Sequence, residues 1–214
     1  ERQWSLVGSE MCIRDSYSAN RELESSAKVK ALEALLIEKG VISSSSVDKI
    51  LDYFETKMGP FNGAKLVAKA WKDAEFKSLL LKDCNAACEK LDMPTGMSGA
   101  EGEIMRVAEN TSSVHNLIIC TLCSCYPWPT LGLPPYWFKD PTFRARSARE
   151  PRVVLSEFGL DLNPEVEIRV WDSSGQIRWW VLPEQPSGTD HMTEEELASL
   201  ITPESMMGVS KVVL

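Results

Sequence analysis

The sequence predicts an α+β fold, in which an N-terminal helical arm is followed by a layered α/β-sheet domain that carries the chemistry. Apolar residues recur at helical spacing through roughly the first ninety positions, whereas alternating apolar runs typical of strands appear only later. A Gly-, Pro- and Ser-rich break, "MPTGMSGAEG", lies between the two regions at residues 93–102. We therefore predict an arm over residues 21–92 and a catalytic domain over residues 93–214.

The arm shows the periodicity and the stop signals of several short helices. Residues 26–39 form an amphipathic pattern that ends at Gly40, and a second pattern follows a capping-box-like Ser45 and Asp48 and ends at Gly59-Pro60. Beyond Asn62-Gly63 the helical period resumes, and Asp73 opens a further helix. The first ninety residues are therefore predicted to be mostly helical.

The C-terminal region has strand and cap signals. Apolar residues alternate at 166–170 and again at 177–181, with a turn at 172–175 between them, which predicts a β-hairpin with one buried face. Thr193 and Glu196 form a capping box for a last helix.

Residues 1–20 show no helical or strand period. The stretch "SLVGSEMCIRDS" resembles the translated sequencing-adapter fragment found in some assembled transcripts. We interpret residues 1–20, with Cys12, as a non-native N-terminal extension and give them no function.

Composition excludes several classes of function. Against 23 Lys and Arg stand 31 Asp and Glu, and the net charge of -8 argues against nucleic acid as a partner. No apolar run is long enough for a membrane helix and no signal peptide is evident, so we expect no membrane association and a cytoplasmic location. The sequence has only two histidines, His115 and His191, which argues against a catalytic triad or a His-rich metal site.

The thiol chemistry is concentrated in "ICTLCSCY", which places Cys120, Cys123 and Cys125 within six positions. A disulfide in so short a loop is strained, and structural zinc usually takes two separated ligand pairs, whereas no second CxxC follows. The sulfurs of Cys123 and Cys125 and the backbone nitrogens of Ser124 and Cys125 can face one point, with Cys120 capping them. This arrangement leaves one position of an octahedron open.

A metal held in this way must be strongly polarising, because backbone amides otherwise keep their protons. A small trivalent ion such as Co(III) or Fe(III) fits and Zn(II) does not. Three thiolates and two amidates against a trivalent ion leave the site at about minus two, so cationic partners are expected nearby.

"CTLCSC" followed by "YPWPTLGLPPYWF" resembles the metal-binding loop of the nitrile hydratase α-subunit family. The resemblance runs from about residue 24 to the C-terminus and includes "NGAKLVAKAWKDAEFKSLLL", "VAENTSSVHN", "FRARSAREPRVVLSEFGL" and "EIRVWDSSGQIRWWVLPEQPSGT". It implies a lyase that hydrates small nitriles to amides. The implied metal is Co(III), or alternatively Fe(III), held by Cys120, Cys123, Ser124 and Cys125.

The resemblance also implies chemical roles for individual residues. Cys123 would be oxidised to sulfinic acid and Cys125 to sulfenic acid, with Cys120 left as thiolate. In this family the residue after the first cysteine is Thr in the cobalt type and Ser in the iron type. Thr121 resembles the cobalt type, so cobalt is our expectation. We expect catalytic roles for Cys125 and Ser124, for Trp128 as a wall of the substrate pocket, and for Glu101, which occupies the place of a Gln in iron-type relatives.

A β subunit is the implied partner, in an αβ heterodimer or an α2β2 assembly, with arginines from β that bond to the oxidised sulfurs. Two alternatives stay open: the cobalt subunit of a thiocyanate hydrolase, which has a similar loop, and a non-catalytic interaction module stabilised by zinc on the cysteines and His115.

The remaining distinctive residues are predicted to be structural. Cys84 and Cys88, spaced i and i+4, are interpreted as small buried hydrophobes. Arg144, Arg146 and Arg149 are interpreted as a charged helix face without a catalytic role. We expect His115 to be hydrogen-bonded within the fold, His191 to lie on the surface, and four tryptophans to belong to the core or an interface: Trp137, Trp171, Trp179 and Trp180.

Overall fold

The computed structural model describes residues 24–96, 103–122 and 125–214. The helices are α1 (24–38), α2 (Ser44–Thr56), α3 (Pro60–Lys72), α4 (Ala74–Lys82), α5 (Cys84–Glu89), α6 (Trp128–Leu131), α7 (Tyr136–Lys139), α8 (Pro141–Ser147), α9 (Pro151–Glu157), α10 (Glu194–Leu200) and α11 (Pro203–Met207). The strands are β1 (Ile104–Glu109), β2 (Val114–Ile119), β3 (Glu167–Asp172) and β4 (Ile177–Leu182). The predicted α+β class is confirmed. No described helix has the length and apolar character that crossing a bilayer requires.

The chain divides into two units with the border between Leu51 and Asp52, inside α2. In the first unit, α1 ends at residue 38, just before the predicted stop at Gly40, and that glycine takes a positive φ of 67°. The cap of α2 differs from the prediction, because the Ser46 amide donates to the Ser43 hydroxyl and the helix begins at Ser44. Residues 1–23, including Cys12, lie outside the described residues, and the predicted division into an arm and a catalytic domain stays a prediction.

The second unit is built on two pairs of parallel strands. β1 pairs with β4 from Ile104–Ile177 to Glu109–Leu182, and β2 pairs with β3 from Val114–Glu167 to Ile119–Asp172. The predicted β3–β4 hairpin is therefore wrong. Residues 173–176 do turn the chain, with the Ser174 amide donating to the Ile177 carbonyl, but the two strands join different sheets. Alternation shows that a strand has one buried face and does not show which strand it pairs with.

Helices cover the sheets and hold the segment that follows the cysteine loop (residues 120–125). α4 and α5 contact β1, and α3 contacts α4, α6 and α10. The Asn62 side-chain amide donates to the Pro129 carbonyl at 2.8 Å. Gly63 allows the close approach of α3 to α6, because a Cβ there would lie 2.6 Å from the Thr130 carbonyl oxygen. The Asn62-Gly63 pair thus lies inside α3 and anchors α6.

Helix α10 has the cap that its sequence predicts, although it is not the last helix, because α11 follows it. The Glu196 amide donates to the Thr193 hydroxyl at 3.2 Å, and the Thr193 amide donates to the Glu196 carboxylate at 2.8 Å. The reciprocal pair satisfies donors that the first turn of α10 would otherwise leave unpaired.

Candidate metal centre

The cysteine loop begins where β2 ends and runs into α6. Cys120 directly follows β2 and is fully buried, whereas Cys125 is 9% exposed. Between them the backbone reaches the surface, since Thr121 is exposed and Leu122 is 80% exposed. The two sulfurs thus lie on either side of this exposed stretch, and neither forms a disulfide with another described cysteine.

Three predicted site residues lie outside the described residues: Cys123, Ser124 and Glu101. Within the described ranges, no three Cys, His, Asp or Glu side chains converge as a ready-made metal site. The described part of the donor set is thus two buried sulfurs, a soft and anionic pair when deprotonated, which suits a thiophilic transition metal and not Mg²⁺ or Ca²⁺.

Asp172 holds the start of the loop. Its carboxylate accepts the Thr121 backbone N–H at 2.9 Å and the Thr121 hydroxyl at 2.5 Å. This contact arises from the parallel register, because Asp172 ends β3 beside Ile119, the last residue of β2. The sequence placed Asp172 in a hairpin turn and so missed it. Only the pairing of β3 with β2 could have revealed it.

Aromatic side chains line the segment after the loop. Trp128 is half-buried and meets Phe54 edge-on, with ring centroids 5.8 Å apart. Tyr126 is buried against Phe138 at 5.1 Å, and burial raises the pKa of its phenol, so the hydroxyl stays protonated. The residues that directly follow Cys125 are therefore packed against other aromatic rings of the fold.

His115 lies on β2 and serves the fold, as predicted. Its Nε2–H donates to the Gly208 carbonyl at 2.7 Å, and Nδ1 faces the Asn110 amide at 3.3 Å. Burial lowers the pKa of His115, an effect that the Gly208 carbonyl opposes and the charge of Lys211 reinforces. Gly208 must be glycine, because a Cβ would lie 1.9 Å from the Asn116 carbonyl oxygen.

Two surface cavities, of about 230 Å³ and about 510 Å³, share Asn110, Thr111 and Gln185. Their described lining contains no residue of the cysteine loop, and their polar groups close to His115 are already hydrogen-bonded to one another. These cavities add nothing to the candidate site.

Comparison with known proteins agrees with the geometry. The family model "Nitrile hydratase, alpha chain" matches residues 23–210. A low-molecular weight cobalt-containing nitrile hydratase subunit alpha from Rhodococcus rhodochrous is 54% identical over 187 residues, which cover 87% of this chain and 88% of the relative.

Two further relatives widen the comparison. A double mutant of the Fe-type nitrile hydratase from Comamonas testosteroni Ni1 superposes with a TM-score of 0.81 at 41% identity, covering 88% of this chain and 90% of that one. The thiocyanate hydrolase subunit gamma of Thiobacillus thioparus is 41% identical, over 84% of this chain and 76% of its own length. On the family match and the extent of this identity, the chain belongs to the nitrile hydratase α-chain family.

Proposed function

We propose that this chain is the catalytic α subunit of a cobalt-type nitrile hydratase, which adds water across the C≡N bond of a small nitrile. The oxygen of water bonds to the nitrile carbon and both hydrogens end on nitrogen, giving the amide. The observation that carries the proposal is the pair of buried thiols, Cys120 and Cys125, at the ends of a loop that Asp172 holds at Thr121. The 54% identity to a cobalt-containing relative and Thr121 itself favour cobalt over iron.

The metal would be Co(III), held by the sulfurs of Cys120, Cys123 and Cys125 and the backbone nitrogens of Ser124 and Cys125. When bound, it supplies Lewis acidity towards the nitrile or the water. The chain itself binds and shields the substrate through Trp128, and Glu101 orients water or substrate. Cys125, as sulfenate, can accept a proton from the attacking water.

A β subunit completes the proposed enzyme. Large apolar side chains lie exposed in the loop and in the segment that follows it: Leu122, Leu133 and Tyr136 are 80%, 68% and 63% exposed. In the first unit, α1 presents Val29, Leu32 and Leu35 on one exposed face. Exposed apolar patches of this kind are typical of surfaces that a partner covers. We expect an αβ heterodimer or an α2β2 assembly.

The thiocyanate hydrolase alternative rests on the 41% identity to the Thiobacillus subunit, which is lower than the 54% identity to the Rhodococcus one. Trp128 lies between two prolines, and this arrangement favours a substrate pocket for nitriles over one for thiocyanate.

The test is co-expression with a nitrile hydratase β subunit in cobalt medium, followed by elemental analysis and parallel assays of nitrile and thiocyanate turnover. We expect about one cobalt per chain and amide product. Size-exclusion with light scattering should show the heteromeric assembly. Stoichiometric zinc without cobalt or iron, or turnover of thiocyanate alone, would contradict the proposal.

A further inference from the structure

Two arginines of α8, two positions apart, have different surroundings. Arg146 is fully engaged: its Nε lies 2.6 Å from Glu150, and its two terminal nitrogens lie 2.8 and 2.6 Å from the Glu157 carboxylate. Arg144 has no carboxylate within ion-pair distance among the described residues. The position of Arg144 therefore has to be explained by a group other than a described carboxylate.

Arg144 points to the cysteine loop. Its Nη1 donates to the Thr121 carbonyl oxygen at 3.4 Å, a long hydrogen bond. Its Nε is shielded from solvent, and no described residue accepts its proton. Partly desolvating a guanidinium costs free energy unless a negative group lies close by.

The cysteine loop supplies such a group. When its three sulfurs and two amides hold a trivalent ion, the loop has a net charge of about minus two. Thr121, directly after Cys120, is then held from two directions, because Asp172 accepts its N–H and Arg144 donates to its carbonyl. The hydrogen bond to Thr121 is long, and Nε has no acceptor among the described residues. The guanidinium can therefore form shorter hydrogen bonds when the loop is negatively charged.

We propose that Arg144 is a positioning residue that supplies this chain's own positive charge to the metal-binding loop. The inference rests on the proposed function, and it adds to the arginines expected from the β subunit. Arg144 acts through the Thr121 backbone and the field at the sulfurs, and it does not contact the substrate. The earlier prediction that all three arginines form only a charged face is thereby revised for Arg144.

The test uses the cobalt-loaded αβ complex with four variants. Arg144→Gln removes the charge, Arg144→Met removes it while keeping the apolar stem, and Arg144→Lys restores it. Arg146→Gln is the matched control on the same helix. For each we measure cobalt content, the thiolate-to-cobalt absorption band, the melting temperature, kcat and KM.

We expect Arg144→Gln and Arg144→Met to hold less cobalt, to show a shifted absorption band and to lose about tenfold in kcat. KM should stay within about twofold, because the substrate contacts are unchanged. Arg144→Lys should recover most of the cobalt content and the band position. Arg146→Gln should lower only the melting temperature.

The proposal is overturned if the neutral variants match Arg146→Gln in cobalt content and absorption, or if Arg144→Lys loses as much as they do. Failure of all three Arg144 variants to assemble would assign a folding role and also overturn it. A wild-type complex with neither cobalt nor iron refutes the proposed function and this inference together. A cobalt-loaded wild type with insensitive variants refutes only the inference.

Discussion

Two pairs of cysteines show how the same side chain acquires different chemistry in one fold. Cys84 and Cys88 are 1% and 0% exposed, and Cys120 and Cys125 are 0% and 9% exposed, so burial of the sulfur does not separate them. The two pairs differ instead in the backbone that surrounds them. Cys84 begins α5 and Cys88 lies within it, whereas Cys120 and Cys125 lie on either side of a loop whose described residues, Thr121 and Leu122, are exposed.

The protonation of Cys84 follows from its surroundings. The pKa of the Cys84 thiol is raised well above its ordinary value, first by the hydrogen bond with Cys88 and then by burial. A thiol that stays protonated is neither a nucleophile nor a metal ligand. This supports the interpretation of Cys84 as a core residue, and the full burial of Cys88 supports the same interpretation for that residue.

The largest expected difference between the pairs is in catalysis. Cys125→Ser should abolish cobalt retention and lower turnover by at least about a thousandfold, because a metal ligand is lost. Cys84→Ser should keep cobalt and turnover while lowering the free energy of unfolding by about 1 to 2 kcal/mol, because the core gains a hydroxyl. Elemental analysis, nitrile assays and urea unfolding of both complexes measure this. Equal losses of activity would mean that the site is misplaced.

The second prediction concerns oxidation. Sulfurs bound to an inert trivalent metal are electron-rich and cannot leave, so oxygen adds to them. Peptide mass spectrometry of active enzyme should show two added oxygens on Cys123 and a more labile oxidation of Cys125. Cys84 and Cys88 should be unmodified and serve as the internal control. Three plain thiols in the loop of an active enzyme would refute the idea.

A third prediction tests what holds the loop. Asp172→Ala removes the acceptor of the Thr121 N–H and hydroxyl, and we expect cobalt content or kcat to fall by about tenfold. Asp161→Ala is the matched control, because Asp161 also accepts a hydroxyl, that of Ser156 at 2.6 Å, at a site away from the loop. A similar loss in both variants would show that Asp172 has only a general effect on stability.

The smallest expected effect is on the pH dependence of stability, and it arises from His115 on β2, the strand that leads into the loop. The pKa of His115 is lowered in the fold, so the unfolded chain binds more protons below its ordinary pKa of about 6.5. The stabilisation is complete above that pH and is lost as the pH falls below it. Urea unfolding at a series of pH values between 7.5 and 5 should show a decreasing free energy of unfolding.

His115→Gln should flatten that pH dependence, and His191→Gln, which changes an exposed surface residue, should leave it unaltered. An unchanged pH dependence in His115→Gln would assign the effect to other groups.

Local patterns in the sequence were sufficient for several helix ends and for the position of the loop. The Thr193–Glu196 cap, the Gly40 stop and the Asp73 cap each depend on residues within a turn of one another, and each is found where the sequence predicts it. The cysteine spacing in 120–125 likewise depends on one short segment, and it was one of the segments on which the family resemblance rested.

Tertiary structure alone decided which strands pair and what surrounds the loop. The parallel pairing of β2 with β3 brings Asp172 to Thr121 across 51 positions, and α8 brings Arg144 to the same residue across 23. A residue pattern records which face of a strand is buried, but the partner of that strand depends on how the intervening chain crosses over and packs. The sequence by itself therefore predicted the thiol ligands, whereas only the fold showed that Asp172 and Arg144 contact Thr121 beside them.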